Sequence, residues 1–432
     1  MAGSPPGTFS PRQPIHETLD NPASHAIKLL ADQDVEASRS KSGNLICFSH
    51  LRWNFVWQRP QHLLTRAARR YNVWVIEEPI HDAEGEPYLA LAQREGGVCI
   101  AVPHLAAGLH PSEQVGVQRR LVDMLLAGLA GQTRIFWYYT PAALRFSDHL
   151  DRDLTIYDNM DELSTFHGAS KDLLALENRL LGRADLVFTG GLSLYEAKLG
   201  RHNSLHAFPS SIDVEHFASA RRIRQEMPRT ARRPRLGFFG VVDERMDTAL
   251  LDSVAALRPD WDIVVVGPVV KIDQATLPQR ANLHWAGACD YKNLPQTLAG
   301  WDVGIMPFAM NEATRFISPT KTPEFLAAGL PVVSTPITDV VRTYGRPGLV
   351  EIAETPEAFV AAAAELLERP RDAWLKAVDA QLALSSWDST WNHMHALAKQ
   401  ALKGHPRPAE RVPPLRFRAT DALATAAASQ VA

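Results

Sequence analysis

The chain holds three cysteines in 432 residues, Cys47, Cys99 and Cys289, and they lie far apart. That scarcity excludes a disulfide framework and a cysteine-built zinc site, and it suits a reducing cytoplasm. No window of about 18 apolar residues occurs, so no membrane-spanning helix and no secretory leader are expected. Charge of one sign is missing too: a net charge of -3 gives no overall attraction to nucleic acid, which is not an expected partner. Neither "NLICFSH" nor "RLGFFG" runs on into a G-x-G-x-x-G turn, which excludes the ordinary NAD-dependent dehydrogenase pattern. No Asp-x-Asp follows a strand and the histidines are scattered, so no metal and no cofactor are expected.

What the chain does have is alternation. Hydrophobic residues make up 46% of it, enough at this length for two cores rather than one. Buried-strand runs at "NLICFSH", "YNVWVIEEP", "GVCIAVP", "TRIFWYYTP", "LTIYDNM" and "ADLVFTGG" alternate with helical stretches such as "EQVGVQRRLVDMLLAGL". A second series follows at "RLGFFGVV", "WDIVVVGP", "ANLHWAGA", "WDVGIMPF" and "LPVVST". The pattern predicts an α/β protein with two Rossmann-like, parallel-sheet domains in tandem, over 43–217 and 236–385. Between them the arginine-rich 218–235 reads as a linker, and 386–403 as an amphipathic helix crossing back to the first domain. The ends, 1–42 and 404–432, are rich in Pro, Ser and Ala and are expected to be disordered or loosely packed.

Open parallel sheets bind ligands beyond the carboxyl ends of their strands. The stretch "SPTKTPEFLAAGLPVVST", Ser318 to Thr335, falls on that edge of the second domain. Ser318 followed by Pro319 reads as an N-cap and first helical residue, with the helix running to Ala328 and ending at Gly329. Lys321 and Glu324 are three apart and share one face. Two readings stay open: a surface ion pair, or a cation for a diphosphate beside a carboxylate for the hydroxyls of a ribose.

These residues resemble the nucleotide-binding signature of GT-B-fold retaining glycosyltransferases, in the branch holding many bacterial polysaccharide and cell-envelope enzymes. The likeness runs over roughly residues 44 to 403, through "LGFFGVVDERMDTALL", "VVVGP", "NLHWAG", "LPQTLAGWDVGIMPF" and, in the first half, "FSHLRWNFVWQRPQHLL", "YDNMDEL" and "ENRLLGRADLVFTGG". It implies two domains facing a cleft and metal-independent hexosyl transfer from a nucleotide-diphosphate sugar, a co-substrate rather than a cofactor. The acceptor would be a saccharide or a lipid-linked one. A cytoplasmic enzyme is implied, with peripheral contact to the inner membrane where the acceptor is lipid-linked. By the same resemblance Glu324 binds ribose, Lys321 and Arg245 neutralise the diphosphate, with a salt bridge to Asp243, Glu244 or Asp247 as the alternative for Arg245, Gly240 lets the backbone approach it, and the base lies along Trp285 to Cys289.

Asn311, Thr314 and Ser318 sit in the loop that leads into the helix and are further donor-binding candidates, with ordinary turn roles as the alternative. Arg59 and Gln61 lie in the first strand-to-helix loop, near phosphate or acceptor, and Trp53 and Trp57 either stack on a sugar or pack between domains. In "IYDNMDEL", Asp158 is the first candidate for the catalytic carboxylate and Asp161 the second, with helix capping as the alternative for each. Two departures stand out: the glutamate eight residues before Glu324 is replaced by Phe316, and an expected Asn-Gly is Ser210-Ser211. They keep two alternatives in play, a sugar-nucleotide epimerase on the same fold and a non-catalytic nucleotide-sugar-binding scaffold.

Overall fold

The computed structural model describes residues 26–29, 41–129, 132–228 and 232–404. The first lobe is built on nine strands: β1 (Ile27–Leu29), β2 (Asn44–Phe48), β3 (Asn72–Ile76), β4 (Tyr88–Arg94), β5 (Val98–His104), β6 (Arg134–Tyr138), β7 (Leu154–Asn159), β8 (Leu186–Thr189) and β9 (Leu205–Ala207). Their order across the sheet is β1-β4-β5-β3-β2-β6-β7-β8-β9. Among these described strands only β4 and β5 pair antiparallel. The second lobe is an all-parallel sheet of β10 (Arg235–Phe239), β11 (Asp262–Val266), β12 (Leu283–Trp285), β13 (Val303–Met306), β14 (Val332–Ser334) and β15 (Glu351–Ile352), in the order β12-β11-β10-β13-β14-β15. Central strands such as β2 and β3 are buried along their whole length, as continuous apolar runs require when helices cover both faces.

Six helices matter for the site: α1 (Arg59–Ala67), α2 (Pro111–Gly128), α3 (Leu192–Lys198), α4 (Val214–Glu226), α5 (Lys321–Ala327) and α6 (Trp387–Lys403). The stretch read as a linker differs from that expectation, because α4 carries it as helix to Glu226. Phe217 and Ala220 are buried in the second lobe's core. Arg221 and Arg224 donate to backbone carbonyls of that lobe, at Ala327 (2.7 Å), Ala328 (3.1 Å) and Leu298 (3.0 Å). These arginines therefore satisfy helix C-terminal carbonyls rather than lining a solvated connector.

Helix α6 returns to the first lobe and buries Trp387, Trp391, Met394 and Ala398 against it. Each large apolar side chain so buried contributes about 1.5–3 kcal/mol. Hydrogen bonds also join the lobes at the cleft: Asp339 accepts the first N–H groups of α3, from Leu192 (2.9 Å) and Ser193 (3.0 Å). The expected loose ends, 1–42 and 404–432, lie outside the described residues except for 26–29, 41, 42 and 404. Among the described residues no helix is long and apolar enough to cross a membrane.

Candidate active site

Helix α5 is pressed onto its sheet because Gly304 of β13 leaves room for the Phe325 ring; a Cβ there would lie 2.8 Å from it. That contact fixes the first turn of α5 over the carboxyl ends of β10 and β11. The helix starts at Lys321 with Thr320 as its N-cap, two residues later than the Ser318 reading, and no side chain caps it. Ser318 is engaged elsewhere: its carbonyl accepts the Ser210 hydroxyl at 2.6 Å, a bond from the loop that ends the first lobe. Gly329 takes the left-handed φ of 70° just past the helix.

A cavity of about 400 Å³ opens between the lobes, lined among others by Gly240, Arg245, Gly267, Lys321 and Glu324 from the second and Trp57 from the first. The Lys321 side chain crosses directly above Gly240, where any Cβ would sit 2.1 Å from its Cε. Gly240 also holds φ at 133°, so glycine is required there twice over. Glu324 is buried, and burial lifts its carboxyl to about 7 against the pull of the Lys321 ammonium. Burial lowers Lys321 in turn, helped by the Arg245 guanidinium. Arg245 is held in a fork by Asp243, Nε to Oδ1 at 2.9 Å and Nη2 to Oδ2 at 2.6 Å, and still faces the cavity. Ala288 and Cys289 line the far end, while the Ala286 N–H is taken by the sheet through the Val265 carbonyl.

A smaller recess of about 90 Å³ leads on from the same cations toward the first lobe and is lined by Arg59, Asp161, Gly190 and Ser210. The two acidic candidates separate here. Asp158 is 0% exposed and is gripped by Arg59 through Nε (3.1 Å) and Nη2 (2.8 Å), beneath the recess rather than in it. Asp161 reaches the lining; burial raises its carboxyl, and Arg245, Lys321 and Arg59 partly offset that. A carboxylate of the first lobe thus lies in the field of both second-lobe cations.

Three further candidates are committed to local structure. Gln61 is 1% exposed, and its amide donates to the carbonyls of Trp53 (2.8 Å) and Val56 (3.0 Å), so it shapes the 53–58 loop from behind. Asn311 and Thr314 bond each other, Thr314 N–H to Asn311 Oδ1 at 3.1 Å and Asn311 N–H to Thr314 Oγ1 at 3.1 Å, which closes a turn away from the cavity lining. Side chains of this kind favour local turns over ligands. Tyr291, which sequence reasoning passed over, forms a cavity wall and stacks on Trp57 across the gap at 5.6 Å and on His216 at 4.4 Å. The available signal was an aromatic residue just past the end of an apolar strand, on the ligand edge of the sheet.

This geometry can be set beside known proteins. Residues 233–369, the body of the second lobe, match the family described as "Glycosyl transferases group 1". That segment of the chain is similar to the group 1 glycosyltransferases. It is similar to the Bacillus subtilis (strain 168) protein named "Putative teichuronic acid biosynthesis glycosyltransferase TuaH", 27% identical over 306 residues, which are 66% of this chain and 74% of that one. Among solved structures it resembles sucrose-phosphate synthase from Thermosynechococcus elongatus, with a TM-score of 0.63 and 14% identity over 84% of this chain and 100% of that one. It also resembles the trehalose-6-phosphate protein of E. coli bound with UDP-2-fluoro glucose (0.60, 12%, 84% and 100%) and Anabaena Alr3699/HepE in complex with UDP and glucose (0.58, 12%, 82% and 99%). At such identities the likeness establishes the fold, which is GT-B.

Proposed function

We propose that this glycosyltransferase takes a sugar from a nucleoside diphosphate carrier and passes it to a saccharide or lipid-linked acceptor during cell-envelope polysaccharide assembly, with retention at the anomeric carbon and without a bound metal. The observation that carries the reading is the Lys321 ammonium laid over the bare backbone of Gly240, with Arg245 and Glu324 in the same interlobe cavity. As the glycosidic bond to the carrier breaks, charge grows on the diphosphate, and two fixed cations in a partly dry cleft stabilise it. Glu324 accepts the ribose hydroxyls. Asp161, across the recess, takes the proton of the acceptor hydroxyl or faces the positive charge that develops on the sugar.

The name of the Bacillus subtilis relative supports the envelope pathway, and UDP or a UDP-sugar in two of the structural neighbours supports the carrier class. Retention follows the resemblance drawn from the sequence motifs. A lipid-linked acceptor would bring the protein to the inner face of the membrane. The test is incubation with a panel of nucleotide sugars and saccharide acceptors, following nucleoside diphosphate release and the anomer formed. Acceptor-dependent release, unchanged by EDTA and giving the donor's own anomer, is expected. An epimerised free nucleotide sugar, or donor binding with no turnover under any acceptor, would contradict it.

A further inference from the structure

We propose that Lys198 is a positioning residue for Asp161: through Glu162 on one arm, and through Glu177, Tyr157 and Asn159 on the other, it fixes the turn that presents this carboxylate to the recess. The use of Asp161 in transfer rests on the reading above; the way its turn is held does not. The turn has little apolar packing to hold it. Strand β7 is buried over Leu154–Asn159, but from Met160 to Ser170 no residue is buried. A segment with so few apolar contacts keeps one geometry through its polar bonds. Its far end is met by the second lobe, with the Arg245 and Lys271 cations over the Phe166 ring at 5.4 and 5.1 Å. Its near end, which carries Asp161, is tied from within the first lobe.

The Asn159 amide donates to the Asp161 carbonyl at 2.9 Å and to the Tyr157 hydroxyl at 2.8 Å. That hydroxyl in turn donates to Glu177 Oε1 at 3.1 Å, from the neighbouring helix Leu173–Leu181. Lys198, the last residue of α3 and only 3% exposed, closes both arms: its Nζ meets Glu177 at 2.7 and 2.9 Å and Glu162 Oε2 at 2.5 Å. Arg201 adds a second cation to Glu177 at 3.3 Å, so two cations face two carboxylates. Each Glu177 oxygen then has two donors, which leaves no acceptor position for a ligand and makes this a junction rather than a site. Gly190 fits under the same turn: its N–H donates to the Asn159 carbonyl at 2.9 Å, and a Cβ on it would run into the Met160 carbonyl oxygen. Burying such charges is costly, and apolar residues would join the helices as well. Apolar residues could not, however, grip a backbone carbonyl and the adjacent side chain of an unburied turn. The ammonium does so at Asp161 and at the residue beside it.

The experiment pairs hydrogen exchange with kinetics on the full chain. Glu162→Gln cuts one arm and leaves Lys198 paired with Glu177; Lys198→Met combined with Glu177→Gln removes the cation together with its buried partner. In both, amides of 160–166 should exchange at least fivefold faster than in the native chain. With the nucleotide sugar and acceptor that turn over in the panel above, kcat should fall at least tenfold, since small misplacements of a reacting group are costly, while nucleoside diphosphate affinity stays within twofold. In an Asp161→Asn background Glu162→Gln should cost less than a further twofold, because both changes remove the same contribution. Thermal melts check folding, and Glu162→Gln alone decides where the double variant does not fold. Native exchange over 160–166 in Glu162→Gln, or a full further loss of kcat in the Asp161→Asn background, would overturn the proposal. Asp161→Asn turning over at the native rate would overturn both it and the role given to Asp161. Faster exchange in the variants of a native chain that turns over no nucleotide sugar would instead overturn the transferase reading and leave the anchoring of the turn standing.

Discussion

The two lobes carry the same device and differ in one cation. In each, a cavity opens where the strand order reverses, at β2 and β6 in the first sheet and at β10 and β13 in the second. In the second lobe Lys321 lies across a glycine backbone at the cavity wall, and Arg245, forked onto Asp243, lines the same space. In the first lobe the cations are folded back onto carboxylates. The difference teaches that fold places a site while side-chain pairing chooses the charge of what enters it.

The account can be broken most sharply at the two aspartates near the carboxyl end of β7. Asp161→Asn should lower kcat by about 10²–10⁴-fold, the range of a lost general base, with nucleoside diphosphate affinity little changed; steady-state kinetics with calorimetry would check it. Asp158→Ala should act on folding instead, leaving Arg59 buried and unpaired and costing about 3–5 kcal/mol in denaturant unfolding. If Asp158→Ala is stable and inactive while Asp161→Asn turns over, the assignment between them is reversed. Gly240→Ala should then weaken nucleoside diphosphate binding at least tenfold in calorimetry, because its Cβ displaces Lys321.

A smaller effect comes from pH. His62 of α1 stacks on Trp387 of the returning helix at 4.6 Å, and burial pushes its imidazole down to about 3 from 6.5. Above pH 6.5 folded and unfolded chains both hold it neutral, so its contribution to stability is fully present. Between pH 6.5 and about 3 the unfolded chain takes up a proton that the folded chain refuses, and stability falls. Melting curves across that range should show a shallower loss in His62→Phe than in the native protein. Equal slopes would mean that the imidazole is not held neutral.

Much of this arrangement was legible in the sequence, for identifiable reasons. Strands buried on both faces read as continuous apolar runs, so the central strands of both sheets stood out. Short or edge strands such as β1, β9 and β15 have too few residues for a period to show, and β4 pairs antiparallel beside a parallel series. Gly240 and Arg245 follow β10 and Lys321 and Glu324 open the helix after β13, so all four could be grouped on the ligand edge, and the fold brings them into one cavity. The 99-residue separation of Arg59 and Asp158 hid their pairing, and with it the burial of Asp158. Gln61, Asn311 and Thr314 carry polar groups that serve ligands and turns alike, and only the partners in space decide between them. The first-lobe cavity leaves no motif, since strand order creates it.

The most direct test of the account is calorimetric titration of the native protein and Lys321→Ala with the common nucleoside diphosphates and their parent nucleosides. The account predicts that the native chain prefers one diphosphate over its nucleoside by at least tenfold and that Lys321→Ala loses most of that preference. No preference in the native chain, or the full preference kept in Lys321→Ala, would contradict it.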